Sequence, residues 1–332
     1  MSTIEDRRHP TIRDIAELSG YSINTVSRAL RGRGYVSPEA KRKILQVAES
    51  IGYFKDRTAL SLRNRQSKII GVIIVDNSNP FYADVLKGIE EEAYKEGYET
   101  ILMNTYRDPE REKIALIRMI ERRVDGIIIT STQQNWDFLL RVKRLGMNVV
   151  LVGSHHPGLI SVRPDDVKAG YIATKHLIDM GHKNIIMLNS LPNKFTAQMR
   201  LKGYLQALNE SNLTARVLNS SEGFDNAYRT MSEFLSSCDR NFTAVFCYND
   251  IFAFATIKAL KDHGWRVPED VSVVGIDDLV FCSLISPPLT TIRIDRFQLG
   301  SDAFNMVINK IQVTEKVNSV ELVRRESVKK LT

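Results

Sequence analysis

Residues 11–53 read TIRDIAELSGYSINTVSRALRGRGYVSPEAKRKILQVAESIGY, and their spacing predicts three short helices. Thr11 stands as an N-cap, and Asp14 three residues on can reach back to it, as in a capping box. Ile12, Ile15 and Ala16 share one face of the first helix, which Gly20 ends. Ser22 caps the second helix. There Val26, Ala29 and Leu30 make the apolar face, while Thr25, Ser27 and Arg28 point elsewhere. Ser37-Pro38-Glu39 opens the third helix with a capping serine, a proline at its first position and an acid in its first turn. Ile44, Val47, Ala48 and Ile51 then recur at helical spacing until Gly52. Helix nucleation is costly, and the first two helices bury too little apolar area to persist alone. All three must therefore pack into one bundle.

The charge distribution agrees with a special role for this segment. The formal net charge is +7; residues 1–68 hold 14 Lys+Arg against 7 Asp+Glu, and the rest of the chain holds 32 of each. A concentrated positive field attracts polyanions, and the second helix of such a bundle is free to enter a major groove. The three cysteines, Cys238, Cys247 and Cys282, are scattered, with neither disulfide-framework nor metal-ligand spacing. A reducing cytoplasm is the natural compartment. No apolar run reaches the length of a membrane span, and the polar, charged stretch Met1–Pro10 carries no apolar signal segment.

From residue 69 the pattern changes. Apolar runs of strand length at 69–75, 100–104, 126–130, 149–152, 185–188, 243–247 and 271–276 alternate with amphipathic helical spacing. Such alternation argues for parallel sheets covered on both faces, here as two α/β lobes with a cleft between them. Ligands of these sheets bind beyond the carboxyl ends of the strands. That rule selects the loops at 76–81, 130–135, 190–200, 248–250 and 277–278. Asp250 reads as the cap of the helix that begins at Ile251. Arg200 lies early in a helix, where the dipole disfavours a cation, so it calls for a ligand or an acid as partner. No GxGxxG, P-loop or GxSxG follows the strands, and His155-His156 builds neither a triad nor a metal site. No catalysis, metal or cofactor is expected.

The continuous stretch Thr11–Tyr53, above all TVSRAL followed by VSPEAKRKI, resembles the headpiece of the lactose/galactose-repressor family. The resemblance extends to about Val328 through Asn79-Pro80-Phe81-Tyr82, Arg123-Val124-Asp125-Gly126, Arg200-Leu201-Lys202-Gly203-Tyr204, Val267 to Asp278, and Pro288 to Ile292. It implies an all-α helix-turn-helix headpiece joined to an α/β periplasmic-binding-protein-like core of two doubly wound parallel-sheet lobes. The expected organisation is a tail at 1–10, a headpiece at 11–57, a hinge helix at 58–67 and a core at 68–332. Within the core, 68–165 with 294–312 would form one lobe, and 166–293 with 313–332 the other.

By this resemblance Ile23, Asn24 and Arg28 reach base edges, while Ser22, Thr25, Ser27 and Tyr53 hold phosphates; Thr11 and Arg57 are counted with the DNA contacts. Asparagine suits adenine, arginine suits guanine, and isoleucine suits a thymine methyl. Leu62, flanked by Arg63, would wedge into the minor groove. Lys55 and Asp56 stand where the family commonly has proline and asparagine, which loosens the approach to the hinge. Phe81 and Tyr82 would border an effector that Lys194, Thr196, Arg200, Asn249 and Asp277 hydrogen-bond. Asp165 or Asp166 and an aromatic near Phe224 are weaker candidates. Lys194 replaces an arginine of the purine-responsive member.

The expectation is thus a cytoplasmic homodimeric repressor of carbohydrate genes on a pseudo-palindromic operator. Its effector would be a sugar, sugar acid or sugar phosphate, with Lys194 and Arg200 tilting the choice toward an anion. The dimer surface is expected near Tyr82–Ala93 and Leu260–His263. The alternatives are a solute-binding protein with a merely basic headpiece, and a regulator with a purine-type effector.

Overall fold

The computed structural model describes residues 10–32, 34–54, 66–237, 241–309 and 313–331. The chain divides into two compact units, Met1–Ser67 and Lys68–Thr332. Arg57, Leu62 and Arg63, and with them most of the expected hinge, lie outside the described residues.

The first unit contains α1 (Ile12–Ser19), α2 (Ile23–Arg31) and α3 (Pro38–Ser50). Asp14 accepts both the backbone N–H and the hydroxyl of Thr11, at 2.6 and 2.7 Å. Ser22 and Ser37 accept the N–H groups of Thr25 and Ala40, which satisfies first-turn donors that the helix itself leaves open. Gly20 ends α1 with φ 76°, a left-handed conformation that costs glycine nothing. Ile15, Val26, Ala29, Ile44 and Ala48 form the small shared core.

The second unit is two lobes. Lobe 1 begins with β1 (Ile69–Ile74), α4 (Pro80–Lys95), β2 (Glu99–Asn104), α5 (Pro109–Glu121), β3 (Gly126–Ile129), α6 (Trp136–Arg144), β4 (Asn148–Val152) and β5 (Ile160–Pro164). The chain then crosses to lobe 2 for α7 (Asp166–Asp179), β6 (Ile185–Asn189), α8 (Phe195–Glu210), β7 (Arg216–Asn219), α9 (Phe224–Ser237), β8 (Ala244–Cys247), α10 (Asp250–Asp262), β9 (Ser272–Asp277), a 3-10 turn (Val280–Ser283) and β10 (Thr290–Ile294). It returns to lobe 1 for α11 (Arg296–Val307) and β11 (Glu315–Asn318), and β12 (Val320–Val323) completes lobe 2.

The sheet orders are β11-β5-β4-β3-β1-β2 and β12-β10-β9-β8-β6-β7, the same path walked twice. Neighbouring strands run parallel except β10 and β12. β3, β6 and β8 are buried along their whole length, as strands covered on both faces must be.

One expected boundary is corrected. Residues 313–332 do not all belong to lobe 2, because Glu315–Asn318 pairs with Ser161–Pro164 of β5 in lobe 1. The pairing covers an edge of β5 whose backbone donors and acceptors would otherwise lie open.

Each lobe has one helix pair that approaches to backbone distance. A Cβ on Gly88 (α4) would lie 2.1 Å from the Phe297 carbonyl oxygen of α11, and one on Gly300 would lie 2.0 Å from that of Val85. In lobe 2 a Cβ on Gly170 (α7) would lie 2.1 Å from the Arg200 carbonyl oxygen of α8, and one on Gly203 would lie 2.0 Å from that of Val167. Only glycine permits such an approach. The lobe 2 crossing also fixes the backbone from which the Arg200 side chain departs.

On the helices expected to make a dimer, Val85, Ile89, Ala93 and Leu260 face the interior, whereas Ala83, Lys87, Glu90, Glu91, Lys261 and Asp262 are exposed. Large exposed apolar side chains include Leu102, Ile114 and Ile117 on β2 and α5, and Val280, Phe281 and Leu284 on and beside the 3-10 turn. No described helix is long and apolar enough to cross a membrane.

Candidate functional site

In the headpiece, α2 presents Ile23, Asn24 and Arg28 outward. Ile23 is 49 % exposed, so it does not serve the bundle core. The hydroxyls of Ser22 and Thr25 lie 2.9 Å apart and hold each other at the start of the helix. The stem of Arg28 runs beside Gly34, where a Cβ would meet Arg28 Cδ at 3.5 Å. Ser27 is half-buried. Tyr53 packs on the headpiece core, and its N–H donates to the Ala48 carbonyl at 2.8 Å.

In the core, loops that follow the carboxyl ends of strands in one lobe touch those of the other. Arg200, 5 % exposed, is the polar centre. Its Nε donates to Asp166 Oδ1 at 2.9 Å and its Nη1 to the Tyr248 carbonyl at 2.6 Å. Its Nη2 lies 3.9 Å from Asp277 Oδ1, and its guanidinium stands 4.7 Å from the centre of the Tyr248 ring. The cation early in the helix therefore has its acid partners. The Tyr248 hydroxyl in turn meets Thr196 Oγ1 at 2.7 Å.

Burial disfavours the Arg200 charge, but Asp166, Tyr248 and Asp277 outweigh it and hold the guanidinium above its usual value. Burial raises Asp166 and Asp277 above their ordinary values, with Arg200 opposing in both cases. Burial also raises Asp250, against hydrogen bonds from Thr291, Cys282 and Leu279.

Lobe 1 contributes the facing side. The Phe81 and Tyr82 rings meet edge-on at 5.3 Å. Burial pushes the Tyr82 phenol above its usual value; Arg107 opposes this and Tyr248 and Asp277 add to it, which places Tyr82 among those groups. Gln133 Oε1 accepts the N–H of Phe195 at 3.0 Å, so a lobe 1 side chain caps the first residue of a lobe 2 helix. The Phe195 ring also lies 5.4 Å from the Arg163 guanidinium and 6.1 Å from the His155 ring. Arg296 donates to Asp84 at 2.8 Å and to the Asp277 carbonyl.

At the start of α8, Lys194 pairs with Glu222, and Glu222 also pairs with Arg107 of lobe 1. Arg107 reaches Asp76 at 3.1 Å. Burial and the neighbouring Arg107 push the Lys194 ammonium down, to about 7. Glu222 against it acts the other way, and a carboxylate in direct contact favours the charged form; the ion pair is the form this geometry supports.

Two further observations mark the same region. Tyr106 (φ 52°), Arg107 (63°), Gln133 (65°), Asp277 (126°) and Asp278 (54°) are left-handed non-glycine residues, and all five stand at or just beyond strand ends at the cleft. Such backbone costs about 1 kcal/mol or more per residue and concentrates at functional sites. The hydroxyls of Thr132, Ser154 and Ser190 and the Oδ2 of Asp166 are buried with no hydrogen-bond partner among the described residues. Natural folds rarely leave such atoms unpaired, and these four also stand at the carboxyl-end loops.

Of the sequence candidates, Phe81, Tyr82, Lys194, Thr196, Arg200 and Asp277 converge here, and Asp166 joins them. Asn249 takes a different part from the one expected: its Oδ1 caps α10 by accepting the Phe252 N–H at 3.0 Å. Asp250 is not the cap. It is buried and accepts from Leu279, Cys282 and Thr291. Asp165 accepts from Lys168 as the cap of α7, and Phe224 stacks on Tyr228, which donates to Asp262 at the far end of α10. Asp278 does not merely solvate its loop; Arg293 and Arg325 bind it at 2.7 and 2.6 Å.

Arg107, Arg163 and Glu222 escaped the sequence reading. The legible signals were an arginine ahead of the Asp108-Pro109 helix start at the end of β2, and a charged residue in the Glu222-Gly223 turn before α9. No group of His, Cys, Asp and Glu among the described residues is arranged to hold a metal ion.

Residues 11–56 match the family described as bacterial regulatory proteins of the lacI family. Residues 67–330 match the periplasmic binding proteins and sugar binding domain of the LacI family. A protein of Histophilus somni (strain 129Pt) named HTH-type transcriptional repressor PurR is 35 % identical, covering 97 % of this chain and 99 % of its own. Its namesake in Pasteurella multocida (strain Pm70) is 34 % identical over 96 % and 98 %. Among solved structures, the lac repressor dimer bound to operator and the anti-inducer ONPF shares the fold with a TM-score of 0.88, 24 % identity and coverage of 97 % and 100 %. A LacI family regulator from Enterococcus faecium with bound ribose has a TM-score of 0.71 at 31 % identity, covering 80 % of this chain and all of its own.

Proposed function

The chain belongs to the LacI family of bacterial regulatory proteins, and from that premise we propose that it is a repressor controlled by a neutral sugar bound between the two lobes of its core. It is a DNA-binding transcription regulator with a small-molecule effector domain, and it acts on operator DNA as a dimer. We place it in the cytoplasm and read it as a regulator without catalysis.

The observation that carries the effector class is charge matching. Each cation of the cleft named above already has its acid: Arg200 has Asp166, Lys194 has Glu222, Arg107 has Glu222 and Asp76, Arg163 has Glu315, and Arg296 has Asp84. The tilt toward an anion, based on Lys194 and Arg200 alone, gives way to a neutral ligand. Sugar hydroxyls donate to carboxylates and accept from cations at once, and Thr132, Ser154, Ser190 and Asp166 offer them further partners. Phe81 and Tyr82 border the ligand, Thr196, Arg200 and Asp277 orient it, and Asn249 meets it with the amide N–H2 that capping leaves over. The bound ribose of the Enterococcus regulator supports this reading. A purine effector is the second reading, favoured by the relatives named PurR.

In the headpiece, Ile23, Asn24 and Arg28 read bases, while Thr11, Ser22, Thr25, Ser27 and Tyr53 position the phosphates. Two effector arrangements of the lobes favour different DNA affinities, and the ligand shifts the balance only by its differential affinity for them. The exposed apolar residues on β2 and α5 and around the 3-10 turn supply the dimer surface.

The test is a fluorescence-anisotropy titration of the full chain against operator-like DNA from its own gene neighbourhood. It is repeated with neutral sugars, their phosphates, hypoxanthine and guanine. A salt-sensitive, sequence-specific complex shifted by one neutral sugar supports the proposal. A shift by a purine alone replaces it with the second reading, and binding without sequence preference overturns the headpiece assignment.

A further inference from the structure

We propose that Glu222 sets the charge specificity of the cleft: as an internal counter-ion it takes the place on Arg107 and Lys194 that a ligand's phosphate or carboxylate would take, and so excludes phosphorylated sugars. This rests on the reading of the cleft as the effector site.

Two cations from opposite lobes converge on one carboxylate, which is 16 % exposed at its side chain. Neither cation is there by chance of a loose side chain. Arg107 is delivered by two consecutive left-handed residues, Tyr106 and itself. Its backbone N–H is fixed to the Val75 carbonyl at 2.9 Å, and the second arm of its guanidinium to Asp76. Lys194 is the N-cap of α8, so its stem begins at a fixed helix end. Glu222 sits in a shaped turn. Gly223 follows with φ 101°, and the Glu222 carbonyl accepts from Asn226 Nδ2 at 2.8 Å. Cations arranged in this way, from two elements and at a helix start, are what an anion needs for a bridging grip.

The carboxylate closes that option. An entering phosphate has to displace Glu222 from both cations and leave a half-buried carboxylate beside a dianion with no cation of its own, and like charges at close range in a partly desolvated site disfavour each other. A neutral sugar meets no such conflict. Discrimination between ligands commonly uses a repulsive element of this kind. Without the Glu222 charge, Arg107 and Lys194 face Asp76 alone, and one positive charge is left over.

The test compares the full-length chain with Glu222→Gln by calorimetric titration with inorganic phosphate at fixed ionic strength, with thermal melting as the check of folding. The expected result is phosphate binding at least about tenfold tighter in E222Q than in the wild type, and lost again in E222Q/K194M. Equal phosphate affinity in folded E222Q and wild type overturns the proposal. Should E222Q fail to fold, E222A removes the same charge and carries the same comparison. Failure of the effector reading looks different: phosphate binds E222Q tightly, yet no sugar or purine moves the wild-type chain on DNA. A neutral sugar that acts on DNA binding, with no gain of phosphate binding in E222Q, sinks the charge filter alone.

Discussion

The two lobes of the core follow the same strand path and use the same glycine-to-backbone helix crossing, yet they treat polar groups at the cleft in opposite ways. Lobe 2 buries its groups and binds them to each other: Arg200, Asp166, Asp277, Tyr248 and Thr196 form one connected network. Lobe 1 sends single side chains across the gap, Arg107 and Gln133 among them, from left-handed backbone. A buried connected network is rigid before any ligand arrives. Side chains that find their partners only across a cleft depend on closure. Lobe 2 is thus the preformed half of the site, and lobe 1 the half that completes it.

The largest expected effect tests that asymmetry directly. Arg200→Ala leaves Asp166 buried without its cation, and breaking a buried pair costs about 3–5 kcal/mol. Arg107→Ala removes a partly exposed partner, and such pairs are worth about 1 kcal/mol or less. Chemical denaturation of the two variants should therefore separate them by several kcal/mol. Equal losses would erase the distinction between a preformed and a completing lobe.

The next effect should be symmetric, because it concerns the shared skeleton. Gly88→Ala and Gly203→Ala each place a Cβ within 2.1 Å of a carbonyl oxygen in the partner helix. Backbone cannot swing away as a side chain can, so each is expected near the upper end of the about 1–3 kcal/mol seen for overpacking. A large loss in one lobe with none in the other would show that the two crossings are not equivalent supports.

These crossings also explain what the sequence made legible. The headpiece could be read almost residue by residue, since caps, stops and an apolar stripe all lie within a few positions of one another. The strands buried on both faces were equally plain, as unbroken apolar runs. The α7 helix was not, because the face it buries is mostly small or polar, with Asp166, Ala169, Gly170, Ala173, Thr174 and His176 and a single large apolar residue, Leu177, which leaves little amphipathic contrast. β5, β7, β11 and β12 were missed for a different reason. They are short edge or near-edge strands, and β5 ends in a proline. In the site, residues inside a family motif or a strand-end loop were found, whereas Arg107, Arg163 and Glu222 gain their meaning only from partners 115, 152 and 28 positions away, as Glu222, Glu315 and Lys194. Periodicity carries no information about such pairs.

A smaller effect follows from the buried acids of lobe 2. Burial holds Asp277 above the ordinary carboxylate value. The folded chain therefore keeps a proton there at pH values where the unfolded chain has released it. Unfolding stability falls as pH rises through the interval above the ordinary carboxylate pKa, by at most about 1.4 kcal/mol per pH unit for one proton. Asp277→Asn removes the titration, so melting temperatures followed from about pH 5 to about pH 8 should decline less in the variant than in the wild type. A decline of the same slope in both would assign the proton elsewhere in the network.

The smallest effect lies at the single bond by which lobe 1 caps a lobe 2 helix. Lys194, the N-cap of α8, makes no capping bond with its own side chain, and the Phe195 N–H is taken instead by Gln133 at 3.0 Å. The bond exists only in the closed arrangement; with the lobes apart, water takes its place. A net hydrogen bond of about 1 kcal/mol then biases the closed form by about fivefold. Gln133→Ala should weaken the apparent affinity for the effector by that factor without lowering the melting temperature in proportion. Alanine alone leaves an ambiguity, since φ at Gln133 is 65° and alanine keeps the strain of that conformation. Gln133→Gly resolves it by removing the strain and the cap together. If capping matters, both variants bind the effector more weakly and only the glycine variant gains stability. If backbone strain alone matters, glycine leaves effector affinity at the wild-type level, and the Gln133 cap no longer counts among the links by which closure completes the site.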